Sequence, residues 1–136
     1  MEQQIAPKIL VIDDDPFIVE MYAIKLKDEH FVIETARDGA EGLKKIKEFK
    51  PDVVLLDVVM PGMDGFGLLE ALRGEPGRTA KIILLTNLGQ QQDVERGMHL
   101  GADDYLIKAH FTPSEVVAKI KSLLQKQTND RRETKS

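Results

Sequence analysis

Carboxylates, a hydroxyl and an ammonium close four apolar runs in this chain. Asp13, Asp14 and Asp15 follow KILVI, Asp57 ends VVLLD, Thr86 ends IILLT and Lys108 ends YLIK. If these runs are parallel strands, their C-terminal ends share one sheet edge, where open α/β sheets bind ligands. The carboxylates suit a hard divalent cation, which takes one or two carboxylates, several waters and often a phosphate oxygen. Asp57 stands alone after four apolar residues and is the candidate nucleophile, since carboxylates form aspartyl phosphates. Thr86, by hydrogen bond, and Lys108, by charge, would grip phosphoryl oxygens. Singly, each residue has an ordinary explanation: Asp14 or Asp15 as a helix cap, Thr86 as a β-branched strand end, Lys108 as a solvated lysine. Crowded together, the carboxylates repel one another unless something neutralises them.

The elements that must position these groups alternate between β-type runs and helical stretches. Strands are expected at Lys8–Ile12, Phe31–Thr35, Val53–Leu56, Lys81–Leu85 and Tyr105–Ile107. Pro16 opens a first helix capped by Asp14 or Asp15, with Phe17, Ile18, Met21 and Tyr22 as its apolar stripe. Asp38 caps a second helix that runs to about Phe49, with Ala40, Leu43 and Ile46 inward, and Pro51 stops it. Pro61, Gly62 and Gly65 punctuate the loop after Asp57. A third helix carries Phe66, Leu68, Leu69 and Leu72, and Gly74, Pro76 and Gly77 end it. Gln90–Leu100 reads as a weak fourth helix, because Gly97 inside it costs about 1 kcal/mol against alanine, and Gly101 closes it. Thr112, Pro113 and Glu115 give the fifth helix a capping box, with Val116, Val117, Ile120, Leu123 and Leu124 on its buried face. Five strands alternating with five helices mean a parallel sheet covered on both faces. The domain is read as residues 1–125, and 126–136 as a polar tail that frays.

The 136 residues fit one domain, and a hydrophobic fraction of 42% excludes global disorder. Absence of cysteine excludes disulfides and thiolate chemistry. No signal peptide or membrane span is read, which gives a soluble, cytoplasmic expectation. The net charge of -4 argues against direct nucleic-acid binding.

ILVIDDD, VVLLDVVMPGMDG, IILLT and GADDYLIK together resemble the receiver domain of two-component response regulators, over about Lys8 to Leu124. The resemblance implies a flavodoxin-like, doubly wound five-stranded sheet in the order 2-1-3-4-5. It makes Asp57 the phosphoacceptor, and Asp13 and Asp14 the acidic pair, with Asp14 the more direct ligand of Mg²⁺ (or Mn²⁺). The backbone carbonyl of Val59 becomes the third protein ligand, Thr86 the switch hydroxyl, Lys108 the phosphate-gripping lysine and Tyr105 the switch aromatic. The function implied is a phosphorylation-dependent signalling module rather than an enzyme, with intrinsic self-phosphorylation and autodephosphorylation chemistry. Its phosphodonor is a histidine kinase or histidine phosphotransfer protein. A surface of fourth helix, fifth strand and fifth helix would bind a downstream protein target. A stand-alone module is expected, with no direct nucleic acid and no membrane contact, as a monomer or a phosphorylation-dependent dimer.

Three positions depart from the family pattern: Asn87, Leu88 and Ala109, the last where proline is usual. The Lys108–Ala109 bond is nonetheless expected to be cis. The resemblance also implies that the positions of Val59 and Leu88 flank the path of attacking water; both are apolar here, so a slow loss of phosphate is expected. Two alternatives compete. The D-x-D spacing of Asp13 and Asp15 suits a Mg²⁺-dependent aspartyl phosphatase of the haloacid-dehalogenase type, which has no use for Asp57. A pseudo-receiver that no longer takes phosphate would not need the complete set of Asp13, Asp14, Asp57, Thr86 and Lys108.

Overall fold

A computed structural model describes residues 6–60, 62–75, 80–86, 91–108 and 112–135, the stretch 126–135 through its backbone alone. Five strands alternate with five helices. They are β1 (Lys8–Ile12), α1 (Pro16–Asp28), β2 (Val32–Ala36), α2 (Gly39–Phe49), β3 (Val53–Asp57), α3 (Gly65–Arg73), β4 (Lys81–Thr86), α4 (Gln91–His99), β5 (Asp104–Ile107) and α5 (Pro113–Lys135). The strands pair in parallel in the order β2-β1-β3-β4-β5.

Side-chain alternation along the buried strands divides the core in two. Leu10, Ile12, Val54, Leu56, Ile82 and Leu84 face the side covered by Phe66, Leu68, Leu69 and Leu72 of α3, with Leu43, Ile46 and Phe49 of α2 partly buried beside them. Ile9, Val11, Val53, Leu55, Ile83, Leu85 and Leu106 face Tyr22 and Leu26 of α1 and Val116, Val117, Ile120 and Leu123 of α5. Burial on both faces explains why β1, β3 and β4 read as unbroken apolar runs.

The caps set where each helix starts. Asp15 accepts a hydrogen bond from the Phe17 N–H at 2.9 Å, and Asp38 from the Glu41 N–H at 2.8 Å. Asp64 caps α3 by accepting from the Gly67 N–H at 2.9 Å. Thr112 caps α5: its hydroxyl oxygen accepts from the Glu115 N–H, and the Glu115 side chain answers by accepting from the Thr112 hydroxyl, in place of the backbone N–H of the expected box.

Several expectations are corrected. Phe17, 83% exposed, and Met21 lie outside the core; Ile18, Val19, Tyr22 and Leu26 are the inward residues of α1. Ala40 is exposed while its neighbour Gly39 is buried, since a Cβ at Gly39 would run into the Met63 carbonyl. Gly97 is no defect in α4. A Cβ there would lie 2.1 Å from Leu84 Cδ1, so glycine is what lets α4 press onto β4. The positive φ of Gly101, 117°, fits its closing position. The backbone of α5 runs helical to Lys135, a stretch with no proline or glycine to break it, and leaves the expected domain boundary near Gln125 to be tested. Pro61, Pro76, Gly77, Asn87, Leu88, Gln90, Ala109 and His110 lie outside the described residues, and the expectation for the Lys108–Ala109 bond with them.

Candidate functional site

The parallel register brings the chemistry to one edge. Ile12 of β1 pairs with Leu56 of β3, so Asp13 and Asp57 leave adjacent strands side by side. Asp57 pairs with Leu85 of β4, which sets Thr86 one residue past it, and Thr86 in turn pairs with Ile107 of β5, next to Lys108. Asp13, Asp57 and Thr86 are buried polar residues, Asp57 with 5% exposure, whereas Asp14 is open to solvent.

Asp13, Asp14 and Asp57 each offer a carboxylate oxygen, and these oxygens all lie within 4.8 Å of one another. Asp13 Oδ1 accepts from the Asp15 N–H at 3.0 Å, the turn that starts α1. Asp13 Oδ2 is fully buried with no hydrogen-bond donor aligned on it. Lys108 Nζ stands 2.9 Å from that oxygen, an ion pair by distance, and 3.3 Å from Asp57 Oδ1. The same Asp57 oxygen accepts from the Val59 N–H at 3.3 Å.

One lysine therefore serves two carboxylates. Burial is the main cause that pushes the Asp57 carboxyl up to about 7; the charge of Asp13 adds to it, and Lys108 and the Val59 N–H oppose it. For Lys108, burial pulls downward, but the close approach of Asp13 and the charge of both carboxylates hold it above its ordinary value. The net excess of buried negative charge, together with the unaligned oxygen of Asp13, fits a divalent cation bound by oxygens.

Thr86 donates a long, weak hydrogen bond, 3.4 Å, to the Leu106 carbonyl. Tyr105 on the neighbouring strand is turned partly outward, and the Val59 side chain is exposed at the loop after Asp57. The sequence reading missed three contributors. Gly65 packs so tightly that a Cβ would come 2.7 Å from the Asp57 carbonyl oxygen. Its spacing from Asp57 was the available signal. Tyr22, read as plain core, has a phenol raised above its ordinary value by burial; the charge of Lys108 opposes this and that of Asp13 adds to it. Asp103 Oδ2 accepts from the Ile82 N–H on β4 at 2.8 Å and steadies the sheet before β5.

A family model described as the response regulator receiver domain matches residues 9–121. The DNA-binding response regulator MtrA of Mycolicibacterium smegmatis is 39% identical over 90% of this chain and 53% of its own length. The DNA-binding dual master transcriptional regulator RpaA of Synechocystis is 40% identical over 88% of this chain and 50% of its own. Among solved structures, a putative response regulator from Chloroflexus aurantiacus superposes with a TM-score of 0.82 at 34% identity, covering 88% of this chain and 98% of its own. The chain spans about half the length of the curated relatives it matches. Their names overturn the expectation that nucleic acid plays no direct part. A net charge of -4 describes this stretch's own surface, and the relatives are about twice as long. The expectation of a stand-alone module loses its support for the same reason. No helix among the described residues is long and apolar enough to cross a membrane.

Proposed function

The chain belongs to the response regulator receiver domain family, and from that premise we propose that Asp57 accepts a phosphoryl group from a histidine kinase or phosphotransfer protein in a divalent-cation-dependent reaction. One observation carries this reading: Asp57, nearly buried, lies within 4.8 Å of two further carboxylates and 3.3 Å from Lys108 Nζ. Members of this family are signalling domains, so a phosphatase acting through Asp13 and Asp15 is set aside.

In the proposed step an Asp57 carboxylate oxygen attacks phosphorus. The bond from phosphorus to the donor breaks, and the leaving group departs with its electron pair. Asp57 must be ionised to attack, and its raised pKa leaves it partly protonated near neutrality. A Mg²⁺ ion held by Asp13, Asp14, Asp57 and the Val59 carbonyl would supply the countercharge that ionises Asp57 and neutralises phosphoryl oxygens. Lys108, already beside Asp57, offers an ammonium to the incoming group. The weak bond of Thr86 to Leu106 makes its hydroxyl easy to redirect toward a phosphoryl oxygen. That movement would vacate space beside Tyr105 and let the ring turn inward, altering the surface around α4, β5 and α5. The names of the relatives make a DNA-binding output the partner class to test first.

The test uses acetyl phosphate with Mg²⁺ and intact-mass detection. The expected result is one phosphoryl group, labile to hydroxylamine, absent with EDTA and absent in Asp57→Asn. Label that persists in Asp57→Asn would refute the assignment.

A further inference from the structure

Helix α4 is held against α3 by a contact that the phosphoryl chemistry does not use. The Arg96 guanidinium sits 4.2 Å from the centroid of the Phe66 ring. Phe66 is buried in the first turn of α3, whereas Arg96 lies on the exposed side of α4. The next residue, Gly97, seats α4 on Leu84 of β4 so closely that a methyl group would not fit. Arg96 and Gly97 thus fix α4 at two points, to α3 and to the sheet.

The α3 end of this contact is tied to Asp57. Gly65 precedes Phe66, its N–H donates to the Val58 carbonyl at 3.0 Å, and it leaves no room for a Cβ, which would come 2.7 Å from the Asp57 carbonyl oxygen. A shift in the backbone that leaves Asp57 must therefore move the first turn of α3, and the Phe66 ring with it. Arg96 rests on that ring. The route runs from Asp57 through Gly65 and Phe66 to Arg96 and α4, touching neither Thr86 nor Tyr105.

We propose that the Arg96–Phe66 stack is a clamp that couples the phosphoacceptor loop to α4, a second link beside the switch hydroxyl. The coupling to Asp57 rests on the reading of that residue as phosphoacceptor; the clamp itself rests on the stack alone. A guanidinium over a ring at a partly exposed site slows local opening by about two- to fivefold.

Hydrogen exchange of residues 91–99 tests both parts. It is followed in the wild type, Arg96→Met, Phe66→Leu and the double variant, with and without beryllofluoride and Mg²⁺ as a stable phosphoryl mimic. Leucine keeps the core filled, and methionine keeps the length of the arginine. Without the mimic, Arg96→Met speeds exchange of α4 by about two- to fivefold in the wild-type background and leaves the Phe66→Leu variant unchanged. Equal effects in both backgrounds, or none in either, overturn the clamp. With the mimic, the exchange response of α4 shrinks in Arg96→Met. A full response in that variant overturns the coupling. Failure of the mimic to bind the wild type refutes the role of Asp57 instead, and the experiment without it still decides the clamp.

Discussion

Replacing Asp57 by asparagine removes one negative charge from a site that holds two buried carboxylates against one lysine. The folded state holds the Asp57 carboxyl at about 7 against an ordinary 3.8. A folded value above the unfolded one means that folding favours the protonated form. The penalty is absent below the unfolded value, grows as pH rises between the two values, and is complete above the folded one. The gap sets a ceiling of about 4 kcal/mol. Asparagine forfeits the attraction of Lys108, although Lys108 keeps Asp13, and the site relaxes around the charge in the wild type. Those offsets bring the expected gain to on the order of 1 kcal/mol above neutrality. Urea unfolding in EDTA measures it. At about pH 8 the variant's midpoint should rise by roughly 0.5–1 M, at about pH 5 the rise should be less than half as large, and at about pH 4 it should be mostly gone. An unchanged or lowered midpoint at the highest pH would refute the charge-crowding argument. So would a gain of the same size at all three pH values, because it would not come from ionisation.

Three further outcomes are expected. Gly97→Ala should lower stability by about 1–3 kcal/mol, against the gain of about 1 kcal/mol that helix propensity alone gives, because its methyl meets Leu84; a raised melting temperature would contradict the close seat of α4. If Asp57 takes phosphate as proposed, Val59→Asn should speed its loss several-fold, since a polar side chain at the exposed position two residues beyond Asp57 can orient water; an unchanged decay by intact mass would mean that Val59 does not gate hydrolysis. Ending the chain after Gln125 should change stability by less than about 1 kcal/mol, as the polar stretch KQTNDRRETKS offers no core residue; a larger loss in urea would place the domain boundary later.

The edge of the sheet was legible because strand chemistry is positional. A strand buried on both faces must be apolar until it leaves the core, so the first polar residue marks the edge. Asp13, Asp57 and Thr86 each sit there. Helix faces were less legible. The sequence of α1, PFIVEMYAIKLKD, carries apolar residues on more than one face. Periodicity admits both Phe17–Met21–Ile24 and Ile18–Tyr22–Leu26, and only the second set packs inward. What decides is the angle at which α1 leaves its Asp15 cap, a tertiary quantity that no residue count contains.

Gly97 exposes the deeper reason that propensity misled. A glycine inside a helix costs backbone entropy, and a reading of the helix alone sees only that cost. The compensating contact is with Leu84, on a strand, in the middle of an apolar run where nothing marks that one leucine as a neighbour of α4. Gly65 follows the same logic against the Asp57 carbonyl, and Gly39 against Met63. In each case the absent side chain is read correctly only from the surface that approaches it. The residues that perform the proposed chemistry announce themselves at the ends of strands. The residues that let the helices close around that chemistry are recognised by what cannot be added to them.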